Sequence, residues 1–209
     1  MGGWGGRYAA VTGEVGDRQF GDTLDTVYGA DGDGGRVQTS STSNQAGIWR
    51  WRSAFQNDFA ARMGWAGSGR YGDARHPPVV RVNGHEGVEA MVVRARLNQS
   101  LVFDAGETVD ADGDADGLRF EWFQYLEASY LPAPAAPDSE RLRIRPVGDG
   151  EVVEFNAQGF KDVVRARKVR VTLPASPSVP VQFGYHLVLQ VNTGGEFPIT
   201  RYKRVVLRA

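Results

Sequence analysis

Residues 183–191 read Phe-Gly-Tyr-His-Leu-Val-Leu-Gln-Val, and their alternation decides the fold. Successive side chains of an extended strand point to opposite faces. Phe183, Tyr185, Leu187, Leu189 and Val191 therefore fall on one side, His186 and Gln190 on the other. A strand of this kind belongs to a sheet with one face in a core. The same period of two recurs outward from it. Val79, Val80 and Val82 make a short first strand, and 88–97, 118–125, 141–147, 151–155, 163–173 and 200–207 follow. Most carry β-branched or aromatic residues, with Gly, Pro, Asp or Asn between them. Roughly seven short strands over about 130 residues point to an immunoglobulin-like β-sandwich. Trp122, in Leu118-Arg119-Phe120-Glu121-Trp122, is the candidate for the tryptophan buried between its sheets.

Ahead of this region the period differs. Ile48, Trp51, Phe55, Phe59 and Met63 step by three or four, which predicts a helix over 48–65. Ser43 or Asn44 would cap it and Gly64 would stop it. The stretches Gly29–Gly35 and Thr39–Asn44 have loop chemistry, and a second glycine-rich stretch runs from Gly64 to Gly72. His76-Pro77-Pro78 favours an extended connection, which places a boundary near residue 76. The expected organisation is thus a front segment, 1–75, and a β domain, 76–209. The fold class is mainly β: a sandwich preceded by a glycine-rich segment and one α-helix. That helix needs a sheet or other helices to pack on, and the front segment offers few residues to build them.

Composition narrows the function classes. The chain has 209 residues with 41 % hydrophobic and 23 % charged, ordinary for a globular protein. A formal net charge of -1 gives no basis for expecting nucleic acid or an acidic membrane as partner. No run is long enough to span a bilayer. There is no cysteine, so neither a disulfide framework nor a thiol nucleophile is available. A Gly-x-Ser-x-Gly elbow and the Gly-Lys-Ser/Thr ending of a phosphate loop are also missing. The opening residues lack the pattern of a signal peptide.

Several blocks, in order, carry a resemblance: Gly-Gly-Trp-Gly-Gly-Arg-Tyr at 2–8, Trp-Arg-Trp-Arg at 49–52, and Gln-Asn-Asp-Phe-Ala-Ala-Arg-Met at 56–63. His76-Pro77-Pro78-Val79, the aspartate-rich loop before Leu118, Trp122–Ala128 and Thr200–Val206 continue it. The chain resembles bacterial proteins with a nucleoside-hydrolase-like domain followed by a C-terminal domain named after a cellulose-binding protein. That resemblance implies a secreted or periplasmic protein associated with polysaccharide, such as cellulose or another plant glycan, with the hydrolase-like domain upstream as a partner. It makes residues 1–75 the tail of an α/β hydrolase-like domain. One departure is Val191-Asn192-Thr193-Gly194-Gly195, which stands where the family usually has an Asp-Asn-Gly turn.

Asp58 lies about 20° from Trp51 on a helical wheel, on the apolar side, where an unpaired carboxylate is expensive to bury. By resemblance it matches the late-helix aspartate that helps nucleoside hydrolases hold a catalytic calcium ion, and Trp4 and Arg7 would line the substrate pocket. Asn57 then stands where many of those enzymes have a histidine. The alternative is an i,i+4 ion pair with Arg62. The early Asp-x-Asp-x-x-x-Asp-Asp turn of such a calcium site has no counterpart in suitable context, so a complete hydrolase site is not present in these residues. Asp110, Asp112, Asp114 and Asp116 form a separate acidic loop, which Asp104 extends. Closely spaced carboxylates suit calcium or a solvated turn, and neither register of an EF-hand is complete. Similar acidic turns occur in the polycystic-kidney-disease-like immunoglobulin modules that this segment resembles.

If Trp122 points inward, Phe123 and Tyr125 point outward. With Tyr130, Phe197 and Tyr202 they would form an aromatic surface, either for stacking sugar rings or for covering a neighbouring domain. His76, His85 and His186 show no zinc spacing. Three functions remain: an accessory module that binds carbohydrate, the distal part of a calcium-dependent N-glycosidase-like enzyme, or a brace for a hydrolase-like domain.

Overall fold

The computed structural model describes residues 8–10, 20–30, 38–113, 117–129, 138–176 and 184–209. Thirteen strands are formed by these residues: β1 (Tyr8–Ala10), β2 (Phe20–Asp22), β3 (Asp25–Ala30), β4 (Gln38–Ser43), β5 (Met91–Arg94), β6 (Ser100–Asp104), β7 (Arg119–Gln124), β8 (Arg143–Pro146), β9 (Glu151–Phe155), β10 (Lys161–Arg165), β11 (Lys168–Thr172), β12 (Tyr185–Asn192) and β13 (Thr200–Arg208). Helices α1 (Ala46–Trp49) and α2 (Arg52–Gly67) precede β5, and a short α3 (Leu126–Ser129) follows β7.

Two sheets enclose the main core. The larger has the order β5-β13-β12-β7-β10-β9, and the smaller β6-β11-β8. Pairing is antiparallel except for β5 alongside β13. Trp122 is fully buried among Phe103, Phe120, Val169, Leu187 and Leu189, and its indole N–H donates to the Ala166 carbonyl over 2.9 Å. Tyr185, Leu187, Leu189 and Val191 all enter this core, as their alternation predicts.

The larger sheet is covered on its other face as well. There Phe123, Tyr125, Phe160, Val163 and Val188 pack with Trp51, and Phe55, Val153 and Tyr202 join them. The front segment therefore has a sheet to pack on: the larger sheet itself. Helix 48–65 of the sequence reading is two helices with a corner at Arg50 and Trp51. The corner lets both side chains reach the sheet, leaving them 5 % and 4 % exposed. Beyond it the apolar stripe parts company with the sheet, and Phe59 and Met63 face solvent. Gly64 does not stop the helix, which runs on to Gly67.

Other boundaries also moved. Residues 39–44, read as loop, mostly belong to β4, where Thr26 and Thr42 share a 2.8 Å hydroxyl hydrogen bond across the pair. Val79 and Val82 make only isolated bridges. Residues 88–97 hold the short β5, and a turn with Asn98 at φ 58° separates it from β6, which the sequence reading missed. Residues 163–173 are not one strand. The chain bends at Ala166–Arg167, so β10 lies in the larger sheet and β11 in the smaller one.

Candidate functional site

Two polar constellations sit on the outer face of the larger sheet. The first is a buried knot. Arg50 Nη1 lies 3.3 Å from Asp25 Oδ2 and 3.6 Å from Glu127 Oε1, while Arg50 Nη2 donates to the Thr26 carbonyl. Tyr125 donates its hydroxyl to Asp25, and the Thr26 amide donates to Glu127. The guanidinium also stands 4.0 Å from the centre of the Phe160 ring. Burial pushes the Glu127 carboxyl up, with Arg50 opposing and Asp25 adding to the rise. Burial likewise pushes the Tyr125 phenol up, and the Asp25 charge reinforces it. Removing one member of such a set leaves a buried charge without its partner. The knot fastens the β3–β4 pair and the α1–α2 corner to the sheet, which is a structural task.

The second constellation is open. Because β10 leaves the larger sheet after Arg165, a groove of about 680 Å³ opens beside the start of β7. Its volume lies within the range of small-molecule sites. Arg119, Glu121, Gln158, Arg165, Arg167 and Gln190 are among the residues that line it. Strand register explains the convergence: Glu121 pairs with Gln190, and Arg119 with Asn192, across β7 and β12. The Glu121 carboxylate is held at three points. Arg165 Nε donates to Oε1 over 3.1 Å, and Asn156 Nδ2 and Gln190 Nε2 donate to Oε2 over 3.1 and 3.2 Å. The side-chain carbonyls of Gln190 and Gln158 are buried and have no hydrogen-bond partner among the described residues. Tyr202 is the cross-strand neighbour of Gln190; burial, with the nearby Glu121 charge, pushes its phenol up.

The residues expected to form a site are distributed differently. Phe123 and Tyr125 do point away from Trp122, but at 0 % and 4 % exposure they lie under the front segment and offer no ring face to a sugar. This corrects the stacking surface proposed for them: alternation sets the face, and the covering layer removes it from solvent. Tyr202 is partly buried in the same cluster. His186 and Gln190, on the same outer face, are also buried. Phe197 is exposed and lines a second hollow beside α2, together with Arg75 and Glu196. Trp4, Arg7, Tyr130, Asp114 and Asp116 lie outside the described residues, as does Phe183.

Among the described residues, the carboxylates considered for calcium are paired with basic side chains. Asp58 accepts from Arg62 Nε over 2.8 Å and from Arg201 Nη1 over 2.7 Å. Burial alone would push its carboxyl up, but the two guanidiniums outweigh burial and hold it below its ordinary value. The i,i+4 pair with Arg62 is thus present, and Arg201 ties the helix to β13. Asp112 accepts from the backbone and ring of His76, both over 2.8 Å, and Arg75 lies 3.5 Å from Asp110. Asp104 pairs with Lys168. Among the described residues no three His, Cys, Asp or Glu side chains gather around a common point. Asp58, with a guanidinium on each oxygen, does not fit a calcium ion, and neither do Asp110 and Asp112 in their pairing with Arg75 and His76.

The sequence reading missed Arg119, Glu121, Arg165 and Arg167 as a group. One signal was available: alternation about Trp122 sends Arg119 and Glu121 to the face that carries Gln190. The bend at Ala166–Arg167 that opens the groove has no glycine or proline to announce it.

Fold and groove together define the class: a mainly β module presenting a polar groove at one end of its larger sheet. The chain belongs to the family described as "Cellulose-binding protein Sde0182, C-terminal domain", whose model matches residues 100–209. No curated protein matches it. Among solved structures it is similar to a nucleoside hydrolase-related hypothetical protein from Saccharophagus degradans described as associated with carbohydrate metabolism. The two are 27% identical with a TM-score of 0.55, over 77% of this chain and 32% of that one. This chain therefore spans about a third of that protein's length. No helix among the described residues is long and apolar enough to cross a membrane.

Proposed function

We propose that this chain is a non-catalytic accessory module of a polysaccharide-associated bacterial protein, secreted or periplasmic, built on an immunoglobulin-like or polycystic-kidney-disease-like sandwich. The observation that carries this reading is the groove at Glu121: an open cleft lined by amide and guanidinium groups, in a chain that belongs to a family named for a cellulose-binding protein. The polar side chains along the cleft suit a ligand rich in hydroxyls. Glu121, tied to three donors, is better placed to orient those groups than to shuttle a proton. Retardation of the purified chain in gels containing cellulose derivatives, xylan or pectin tests the reading. Migration unchanged across that panel would remove its support.

A second role follows from the likeness to a nucleoside hydrolase-related protein. The outer side of α2, with Phe59 and Met63 exposed, is a surface on which an upstream hydrolase-like domain would rest. In a longer version carrying that domain, Phe59→Ser with Met63→Ser should lower the melting temperature of the hydrolase-like part. In the isolated chain the same changes should be nearly neutral.

A further inference from the structure

We infer that the outer face of the smaller sheet is a second interaction surface, whose ligand is a carboxylated polysaccharide; this rests on the polysaccharide-associated reading above, at a place apart from the groove. Strand register builds the surface. Ile144 of β8 and Val169 and Val171 of β11 point into the core, so Arg143, Arg145 and Arg170 point out, and all three are exposed. Arg170 is paired directly with Arg145 across β11 and β8. Arg143 stands two residues along the same strand, about 7 Å away. Like charges set directly opposite one another on a sheet cost stability. No carboxylate answers them, for among the described residues none of the three has an ion pair. Elsewhere the fold does pair its arginines: Arg50 with Asp25, Arg81 with Glu86, Arg201 with Asp58. Even on this face Lys168 holds Asp104 at 2.6 Å. Arg145 donates from Nη1 to the Ile144 carbonyl over 3.0 Å, which satisfies one hydrogen and cancels no charge.

The rows through these arginines turn neutral toward β6. Val102 stands opposite Arg170 and is 45% exposed. Thr172 lies between Arg143 and Ser100, and the two hydroxyls share a 2.7 Å hydrogen bond. A uronate ring carries the matching set. Its carboxylate fits the planar fork of a guanidinium, its hydroxyls meet Ser100 and Thr172, and its C–H face lies on Val102. A chain of such rings can bring successive carboxylates to Arg143 and Arg170. Nucleic acid fits less well. The formal net charge is -1, the isoelectric point is about 6.3, and no aromatic ring lies among Ser100, Val102, Arg143, Arg145, Arg170 and Thr172 to stack a base.

The test uses the 209-residue chain at low salt with four probes: oligogalacturonate, the same oligomer fully methyl-esterified, a cello-oligosaccharide of equal length, and an oligonucleotide of matched charge. Calorimetric titration should show the acid binding at least about tenfold more tightly than its ester or the oligonucleotide, with the preference shrinking as salt is raised. Arg143→Ala with Arg170→Ala should abolish the preference for acid over ester. Affinity for the cello-oligosaccharide should stay within about twofold, because the groove at Glu121 is untouched. The melting temperature of the double variant should hold or rise, since a repulsion is removed. Should that variant fail to fold, the single change Arg143→Glu reads the same preference. An acid preference that survives these changes overturns the inference, and so does equal binding of acid and ester; either result leaves the groove reading standing. Equal or tighter binding of the oligonucleotide also overturns it, since charge alone would then account for the uronate. Silence toward every sugar overturns both readings.

Discussion

The two faces of the larger sheet make an instructive pair. The inner face is mainly apolar, with Trp122, Leu187 and Leu189 at its centre. The outer face is mixed: a ring cluster around Phe123 and Trp51, the Arg50 knot, and the Glu121 groove follow one another across the same strands. Both faces bury aromatic rings completely, yet only the inner one declares itself by composition. On the outer face, polar groups are buried with partners: Arg50 of the front segment for Glu127, and Asn156, Arg165 and Gln190 for Glu121. Stability is shared between the two faces; the groove lies in the part of the outer face that the front segment leaves open.

The largest effect should come from emptying either ring site. Trp122→Ala is expected to cost about 4 kcal/mol and Phe123→Ala nearly as much, roughly 3 kcal/mol, as judged by urea unfolding. If Phe123→Ala cost under about 1 kcal/mol, the front segment would not be packed on the outer face, and the two faces would differ in kind.

Breaking the knot comes next. Arg50→Met leaves Asp25 buried beside Glu127 without its cation and should cost about 3 kcal/mol. Adding Asp25→Asn should return part of that loss, because Glu127 is then the one carboxylate of the knot left buried without Arg50. A further loss in the double variant would mean that the hydrogen bonds of Asp25 outweigh its charge.

Gly159 sharpens the comparison at a single backbone position. Its φ is 72°, and a Cβ there would stand 2.1 Å from Val27 and 2.8 Å from the Tyr28 carbonyl. The Tyr28 amide also donates to the Gly159 carbonyl over 3.1 Å. Gly159→Ala should cost about 2 kcal/mol. Hydrogen exchange should quicken at Thr26 and Tyr28, while amides of β6 and β11 keep their protection. Equal loosening of both regions would show that the layers unfold as one unit.

The smallest effect concerns acid. In the folded chain the Asp58 carboxyl sits below its ordinary value of 3.8, so folding favours its ionised form. That contribution is present above 3.8 and is lost as pH falls through the lower folded value. Asp58→Asn should cost about 0.5 kcal/mol near neutrality and flatten the decline in urea midpoint at pH 3. An unchanged acid limb would place the acid sensitivity elsewhere, for example at Asp112, which is also held low against burial by His76 and Arg75.

Much of this was legible in the residues. The inner face of β12, the burial of Trp122 and the outward aim of Phe123 and Tyr125 all follow from a period of two. The Asp58–Arg62 pair follows from helical spacing. What failed was the inference from outward to exposed. Alternation assigns a face to each residue, but exposure depends on what covers that face, and Trp51 and Arg50 come from far away in the chain. The groove was hidden for a related reason. Arg119, Glu121, Arg165, Arg167 and Gln190 come from three strands and one bend, and no local pattern links them.

By itself, the sequence determined a mainly β chain, the residues that fill its principal core, and the helix carrying the Asp58 pair. Local periodicity encodes these, because each element must present one apolar side to something. Only the tertiary structure decided that the front segment roofs the larger sheet, that Arg50 joins Asp25 and Glu127, and that the bend after Arg165 opens a cationic cleft. Those outcomes depend on close approach between residues far apart in the chain, where packing and charge compensation, not neighbouring residues, set the geometry.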